Sequence, residues 1–330
     1  MEKIRVSIGS AAVLGLQSLK MNVLPTTIHL LQYSAKGCQA NCAFCPQARD
    51  SIVDKKMLSR VSWPAFDWKR VKQKLISCYL EKKYVRICLQ TVLYKGFIDE
   101  MMYLIEDLFS EVKIPLSVAL IPISIRHLEK MKEMGVDRIG IALDASTPDV
   151  FSKIKGNAIQ GPYKWKRHHE ALQDALKIFG KGKVSTHLII GLGESERDAV
   201  QKIYALHKDG ITVGLFAFMP VEGTILDKKP QPIIKQFRRV QLARHLIVHD
   251  KLDPGLFSFD EHGMLTGWHM SNEKLKELIR DNNGSMFMTS GCPGCNRPYY
   301  TSSPRGQMYN YPSPLTKDQI EQTIQELFPN

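Results

Sequence analysis

Residues 114–144 read IPLSVALIPISIRHLEKMKEMGVDRIGIALD, and they contain a complete strand–helix–strand unit. Residues 114–122 are largely aliphatic and read as a strand. A helical pattern over 125–134 follows, stopped by Gly135. Residues 137–144 then alternate, with Ile139, Ile141 and Leu143 against Arg138, Gly140, Ala142 and Asp144, which is the period of a second strand.

The same alternation runs almost end to end. Further strands are expected at 27–33, 84–90, 183–190, 212–219, 256–260 and 285–289. Further helices are expected at 63–82 (opened by Pro64 and Asp67), 98–109, 164–179, 199–208 (ended by Gly210), 232–249 and 272–281. Eight βα units predict an α/β fold, a (β/α)8 TIM-type barrel rather than a sandwich or a bundle. A length of 330 residues suits such a barrel of roughly 250 residues with extensions. One barrel domain over 1–300 is expected, followed by a polar C-terminal tail over 301–330 with one helix at 316–328. There is no linker, no low-complexity segment and no repeat beyond the alternation.

The strands also tell which way they face. In 84–90, Val85, Ile87 and Leu89 alternate with Arg86, Cys88 and Gln90; in 183–190, Val184, Leu188 and Ile190 share space with Ser185 and His187. Outer helices take the aliphatic set, so the polar set lines the lumen. Barrel cores are ordinarily filled with Val, Ile and Leu. A lumen of Arg86, Cys88, Gln90, Arg138, Asp144, Ser185 and His187 therefore reads as a site.

Composition narrows the class further. Apolar residues make up 44% and charged residues 24%, enough for a large core. A net charge of +12 favours an acidic partner, or is simply a solvated basic surface. No apolar run reaches the ~18 residues of a spanning helix, and the short stretch 11–16 lacks a clean cleavage site, so neither a membrane span nor a signal peptide is expected. Seven cysteines, five of them in two tight groups, suit metal ligation in a reducing, cytoplasmic compartment better than disulfides.

Directly after the first expected strand comes Cys38-Gln-Ala-Asn-Cys42-Ala-Phe-Cys45. Three thiolates on one loop at that spacing can ligate three irons of a [4Fe–4S] cube and leave the fourth iron open. Zinc is the competing metal, but structural zinc takes four ligands in paired knuckles. Three incidental cysteines are the plain alternative.

Cys38-x3-Cys42-x-Phe44-Cys45 at the end of a first barrel strand resembles the radical SAM superfamily. Cys45-Pro46-Gln47 is similar to its biotin synthase branch. Thr186-His-Leu-Ile-Ile-Gly191-Leu-Gly193-Glu194 resembles that branch's Gly-Ile-Val-Gly-Leu-Gly-Glu segment, with His187 where glycine is usual. The resemblance covers about residues 27–300. It implies that the open iron chelates S-adenosylmethionine, whose one-electron cleavage yields a hydrogen-abstracting radical. It further implies Asp144 on the cofactor ribose (a helix cap being the plain alternative), Ile190 to Leu192 along the adenine, Glu194 as cap of that loop, and Lys166 or Arg167 at the cofactor carboxylate. Phe44, Gln90 and His187 are expected as further cofactor contacts.

Cys292-Pro-Gly-Cys295 follows the eighth expected strand, and Cys88 lies on the luminal face of the second. In a closed barrel the eighth strand neighbours the first and the first neighbours the second, so all six cysteines converge on one sector of the mouth. The radical loop needs its fourth iron free, so Cys88, Cys292 and Cys295 suggest a second, auxiliary [4Fe–4S] cluster. A zinc knuckle at Cys292 and Cys295 is the alternative. Cys78 reads as a helix-packing thiol. The fourth auxiliary ligand is left among Arg86, Arg138 and Ser302 or Ser303.

Here the chain departs from biotin synthase, whose other auxiliary cysteines fall at Ser117 and Ser185. The segment Cys292-Pro-Gly-Cys-Asn-Arg-Pro-Tyr-Tyr300 resembles instead the archaeal-type, two-protein lipoyl synthases, and the bacterial lipoyl synthase motif is absent. Residues 299–303 and 309–312 would form a lid or cluster wall. The implied substrate is an octanoyl chain on a lipoyl carrier protein, with a second homologous component and an electron donor such as ferredoxin. Biotin synthase, or another radical SAM enzyme acting on a small molecule, is the alternative activity. A zinc-containing RNA-binding protein is the alternative from another class, without an RNA-recognition signature to support it.

Overall fold

The computed structural model describes residues 2–300, 302 and 306–329. In chain order the strands are β1 (Lys3–Val6), β2 (Thr27–Gln32), β3 (Met57–Leu58), β4 (Val61–Ser62), β5 (Ala65–Asp67), β6 (Arg86–Gln90), β7 (Leu116–Leu120), β8 (Arg138–Ile141), β9 (Val184–Ile190), β10 (Thr212–Ala217), β11 (Ser258–Phe259) and β12 (Leu265–Gly267). The helices are α1 (Ile8–Val13), α2 (Trp68–Leu80), α3 (Phe97–Phe109), α4 (Ile125–Met134), α5 (Pro148–Ile154), α6 (Trp165–Phe179), α7 (Glu196–Lys208), α8 (Ile234–Val248), α9 (Asn272–Asp281) and α10 (Lys317–Leu327).

Eight strands form one sheet in the order β10-β9-β8-β7-β6-β2-β1-β5. The run from β2 to β10 is parallel, and β1 is antiparallel to both its neighbours. The α/β class and the (β/α)8-type architecture therefore hold. Local chemistry places the helices as expected: α4 ends on Gly135 at φ +100°, a left-handed cap that costs glycine nothing. Helix α7 begins three residues earlier than its apolar pattern suggests, because Ser195 and Asp198 close a capping box. Asp144 is no helix cap; Thr147 caps α5 instead, accepting from the Val150 amide.

Several expected elements take another form. Residues 63–67 are not helical. Ala65–Asp67 pairs with β1, so α2 starts only at Trp68, with the Asp67 carboxylate accepting from Arg70 N at 2.9 Å. Residues 256–260 contribute β11, which pairs with β12 in a separate hairpin. The stretch 285–289 holds a 3-10 turn at Ser285–Phe287 rather than a strand. Its apolar residues Met286 and Phe287 are buried, and a short apolar run cannot distinguish a buried strand from a buried turn.

The ring is bridged between β10 and β2 by irregular chain instead. Ser290 Oγ accepts from Leu215 N on β10 at 2.9 Å. Six residues later Asn296 accepts from Thr26 N at 3.0 Å and donates to Leu24 O at 3.0 Å, just before β2. Among the described residues no helix is long and apolar enough to cross a membrane.

The tail is fastened to the barrel by one buried cation. Arg238 on α8 is fully buried and donates to Tyr309 O (2.7 Å), Met308 O (2.5 Å), Gln241 Oε1 (2.8 Å) and Glu326 Oε2 on α10 (2.8 Å). Removing one partner of such a set strands the others without water. Arg238→Met should cost about 3 kcal/mol of stability and expose α10 to proteolysis. Urea unfolding and limited proteolysis check this; an unchanged midpoint would show that the tail is held by apolar packing alone.

Candidate active site

The loop after β2 is shaped before any ligand arrives. Cys38 N donates to Gln47 O at 2.7 Å and Cys45 N to Cys42 O at 3.0 Å. The Lys55 ammonium binds the carbonyls of Pro46, Ala48 and Ser51 at 2.8–3.1 Å. Gly37 sits at φ +78°, and a Cβ there would meet Gln47 O at 2.8 Å, so the turn into Cys38 requires glycine. Cys38 Sγ accepts from Leu93 N at 3.2 Å and Ala40 N at 3.4 Å, the kind of amide contact that tunes cluster thiolates.

Burial pushes the thiol of Cys45 up to about 12 and raises those of Cys42 and Cys38 as well. Such groups ionise only against a nearby positive charge or metal. A cation stands there: Lys155, just past α5, is buried, with its ammonium 2.7 Å from Asp144 Oδ2 and 2.8 Å from Ala142 O. Burial opposes the Lys155 charge, but Asp144, Cys42 and Cys45 outweigh it and hold its pKa above the ordinary value. Asp144 has φ +64°, a costly conformation for a non-glycine residue, and this turn brings its carboxylate to Lys155.

The second group of thiols faces the same space. Cys88 projects from β6, level with His29 on β2. Cys292 and Cys295 lie on a turn closed by Cys295 N to Cys292 O at 3.1 Å. Cys292 Sγ is 3.6 Å from Ser117 Oγ, and Cys295 Sγ is 3.8 Å from His29 Nε2. Burial, then Cys292 and Cys295, raise the Cys88 thiol. The Arg297 guanidinium, 4.2 Å above the Phe216 ring, acts on Cys88, Cys295 and His29 alike.

One cavity of about 280 Å³ joins the two groups. Cys45 lines one part of it and Cys88, Cys292 and Cys295 another. Between them the wall is largely apolar, with Phe44, Leu58, Val118, Ile189, Phe216 and Met219. His29 and His187 also line it, and burial drops them to about 3 and about 4, so both are neutral near pH 7. Of the seven luminal residues expected from strand alternation, Arg86, Cys88, Gln90, Asp144, Ser185 and His187 line this cavity. Arg138 is buried and reaches Thr212 Oγ1 at 3.4 Å instead.

Ile190 and Leu192 are buried, Ile190 in the main core and Leu192 against Phe44, Tyr163 and Phe218. Glu194 caps its loop, its carboxylate accepting from Gly191 N at 2.6 Å and Leu192 N at 3.1 Å. Lys166 and Arg167 do not reach the cavity: both are exposed on α6, where Arg167 faces Glu170 and Asp174. The buried cation on this side is Lys155. Ser302 is no free ligand either, since its hydroxyl accepts from Tyr309 N at 3.0 Å and Asn310 N at 3.3 Å; Ser303 lies outside the described residues. Cys78 is buried against α1, as a packing thiol should be. Tyr300 lines the cavity, whereas Tyr309 and Tyr311 pack in the core near Arg238.

Lys155, His29 and Arg297 were not assigned from sequence. His29 shares the parity of Thr27 on its strand and was open to the same alternation argument used elsewhere. Arg297 follows Cys295 by two residues, whereas Lys155 carries no such signal.

Both triads fit iron–sulfur ligation: three neighbouring, partly buried thiols each, with a cation beside them. Among the described residues no group of three or more His, Cys, Asp or Glu side chains is drawn together for a single metal ion. A cube, being larger than an ion, takes its thiolates farther apart.

A model of the Radical SAM superfamily matches residues 33–205. An uncharacterised protein of Methanocaldococcus jannaschii is 27% identical over 126 residues, 36% of this chain, and the match spans 30% of that relative's length. The FeFe-hydrogenase maturase HydG from Carboxydothermus hydrogenoformans is similar in fold at a TM-score of 0.52 and 16% identity, over 77% of this chain and 66% of that one. Streptococcus suis SuiB bound to S-adenosylmethionine is similar at 0.50 and 13%, over 70% and 49%.

The buried histidines make stability depend on pH. His168, between the Phe151 and Tyr163 rings, is lowered by burial from 6.5 to about 3. The unfolded chain takes up a proton below pH 6.5 that the folded chain refuses, so stability is complete above pH 6.5 and is lost as pH falls toward 3. His168→Phe should remove about 1.4 kcal/mol per pH unit from that acid slope, measured by urea unfolding between pH 7.5 and 5. Equal slopes for the two proteins would refute the assignment.

Proposed function

The chain belongs to the Radical SAM superfamily, and on that premise we propose that it is a sulfur-inserting component of an archaeal-type, two-protein lipoyl synthase, beside a second homologous protein that adds the other sulfur. The single observation that carries this reading is the shared cavity: Cys45 of the first thiol loop and all three thiols of the second group line one largely apolar space. An aliphatic C–H bond offers no acid–base handle, and the two histidines lining the cavity are neutral near pH 7. When bound, S-adenosylmethionine on a cluster at Cys38, Cys42 and Cys45 would supply a hydrogen-abstracting radical, and a cluster at Cys88, Cys292 and Cys295 would supply a sulfide for the carbon so opened, its iron taking up the one electron that C–S bond formation releases.

The protein's own groups do the placing. Lys55 and Gly37 hold the first thiol loop in shape. Lys155, fixed by Asp144, would offer a buried cation to the cofactor carboxylate, and Asp144 would meet its ribose. Phe44 and Leu192 close the apolar side, Glu194 sets the Gly191–Leu192 backbone, and the aliphatic and aromatic wall accommodates an octanoyl chain while excluding water. The net charge of +12 suits docking of an acidic carrier protein. A ferredoxin-like electron donor and a second homologous component complete the proposed system.

Iron and sulfide analysis of anaerobically reconstituted protein tests the cluster count. About eight irons should fall to about four in the Cys38/Cys42/Cys45 triple alanine variant; about four falling to none would remove the sulfur reservoir and with it the lipoyl assignment. With octanoyl-lysyl peptide as substrate, Cys38→Ala should abolish cofactor cleavage, while Cys292→Ala should keep cleavage and lose sulfur transfer. Sulfuration of dethiobiotin in place of the peptide would redirect the assignment to biotin synthase. Lys155→Gln should weaken S-adenosylmethionine binding at least about tenfold, consistent with loss of a charge-assisted contact, whereas Arg167→Ala should leave it unchanged in equilibrium titration.

A further inference from the structure

The second triad supplies three thiolates, and a cube has four irons. We infer that His29 is the fourth protein ligand of the cluster held by Cys88, Cys292 and Cys295, an assignment that rests on the auxiliary-cluster reading above.

Geometry brings His29 there. Thr27 and His29 project from the luminal face of β2 while Ile28 and Leu30 pack outward in the core. In the parallel register His29 lies opposite Cys88. Its main chain is pinned on both sides: the amide donates to Ser10 Oγ at 2.9 Å and the carbonyl accepts from Ser7 N at 3.1 Å. The ring is 2% exposed, with Nε2 3.8 Å from Cys295 Sγ, while the Thr27 backbone hydrogen-bonds the ring. Nε2 is the nitrogen turned to the thiols, and a neutral imidazole that keeps its proton on Nδ1 has the Nε2 lone pair free for iron.

The competitors are engaged elsewhere. Arg86 Nη1 is committed to Asp137 Oδ2 at 2.6 Å and Ser117 Oγ at 3.0 Å, and a guanidinium has no lone pair to give without losing its proton. Ser117 accepts that bond. Ser302 is held by the backbone of Tyr309 and Asn310. Histidine in place of a fourth thiolate also removes one negative charge from a site already short of water, and Arg297 faces what remains. Such a ligand is neutral and can depart when a sulfide is withdrawn.

The test uses the full chain with Cys38, Cys42 and Cys45 replaced by alanine, reconstituted anaerobically and reduced, so that only the second cluster contributes. Pulsed electron–nuclear spectroscopy should show a strongly coupled nitrogen that shifts when the protein is made with heavy-nitrogen histidine. In His29→Cys on the same background the iron content should stay at about four and the coupling should vanish. A cluster without histidine-dependent coupling, or a coupling that persists in His29→Cys, would overturn the assignment. The labelled parent needs no change at His29, so a variant that misfolds does not decide the matter. A triple variant holding no iron at all would instead sink the auxiliary-cluster reading itself, and the ligand assignment with it.

Discussion

A thiol buried away from water keeps its proton unless something positive faces it, and this constraint organises the whole lumen. Burial makes the thiols of Cys42, Cys45, Cys88 and Cys295 weaker acids, the wrong direction for ligation. Each triad accordingly has its own cation, Lys155 for the first and Arg297 for the second. Lys155 is itself costly to bury, which explains the Asp144 carboxylate beside it and the left-handed backbone that delivers that carboxylate. Buried ion pairs contribute little net stability. Their value here is in position: an ammonium with fixed direction, next to thiols that need it.

Strand alternation made most of this lumen legible. A period of two separates outward aliphatic from inward polar residues on a barrel strand, and it sent Arg86, Cys88, Gln90, Asp144, Ser185 and His187 to the cavity wall. Applied to the first parallel strand it would also have found His29. Lys155 escaped because it stands after a short helix, where no periodicity tells inside from outside; Lys166 and Arg167, which the resemblance placed at the cofactor carboxylate, lie on the exposed face of α6. Residues 63–67 looked helical because an apolar pattern cannot register that an N-terminal strand, itself unnoticed at Lys3–Val6, is available to pair with them.

The closing segment is the other instructive failure. Sequence spacing suggested seventh and eighth strands, yet the chain closes with a turn and a loop tied by side chains at Ser290 and Asn296. The expected adjacency survived all the same: Cys292 and Cys295 meet Cys88 and His29 because the loop spans the same gap a strand would. Ladder hydrogen bonds are replaced by the side chains of Ser290 and Asn296, which flank Cys292 and Cys295. In the proposed reading, cluster binding then contributes directly to folding of this sector.

Charge balance finally bears on which substrate the cavity suits. Arg86 is paired with Asp137, a carboxylate it shares with Lys183, and Arg297 makes no carboxylate ion pair among the described residues; it rests on Phe216 and donates to the Ser290 carbonyl. In the proposed reading, an oxidised cube with three thiolates and a neutral imidazole would carry one net negative charge, which Arg297 would offset. Lys155 is likewise taken up, by Asp144 and, in the proposed reading, by the cofactor carboxylate. With those pairings made, no cation is left in the wall for a free substrate carboxylate, while Phe44, Val118, Ile189 and Met219 remain to cover methylenes. A small acid such as dethiobiotin would bury its carboxylate uncompensated. An acyl chain joined to lysine through a neutral amide carries no such penalty, which is the physical ground for preferring a protein-bound octanoyl group.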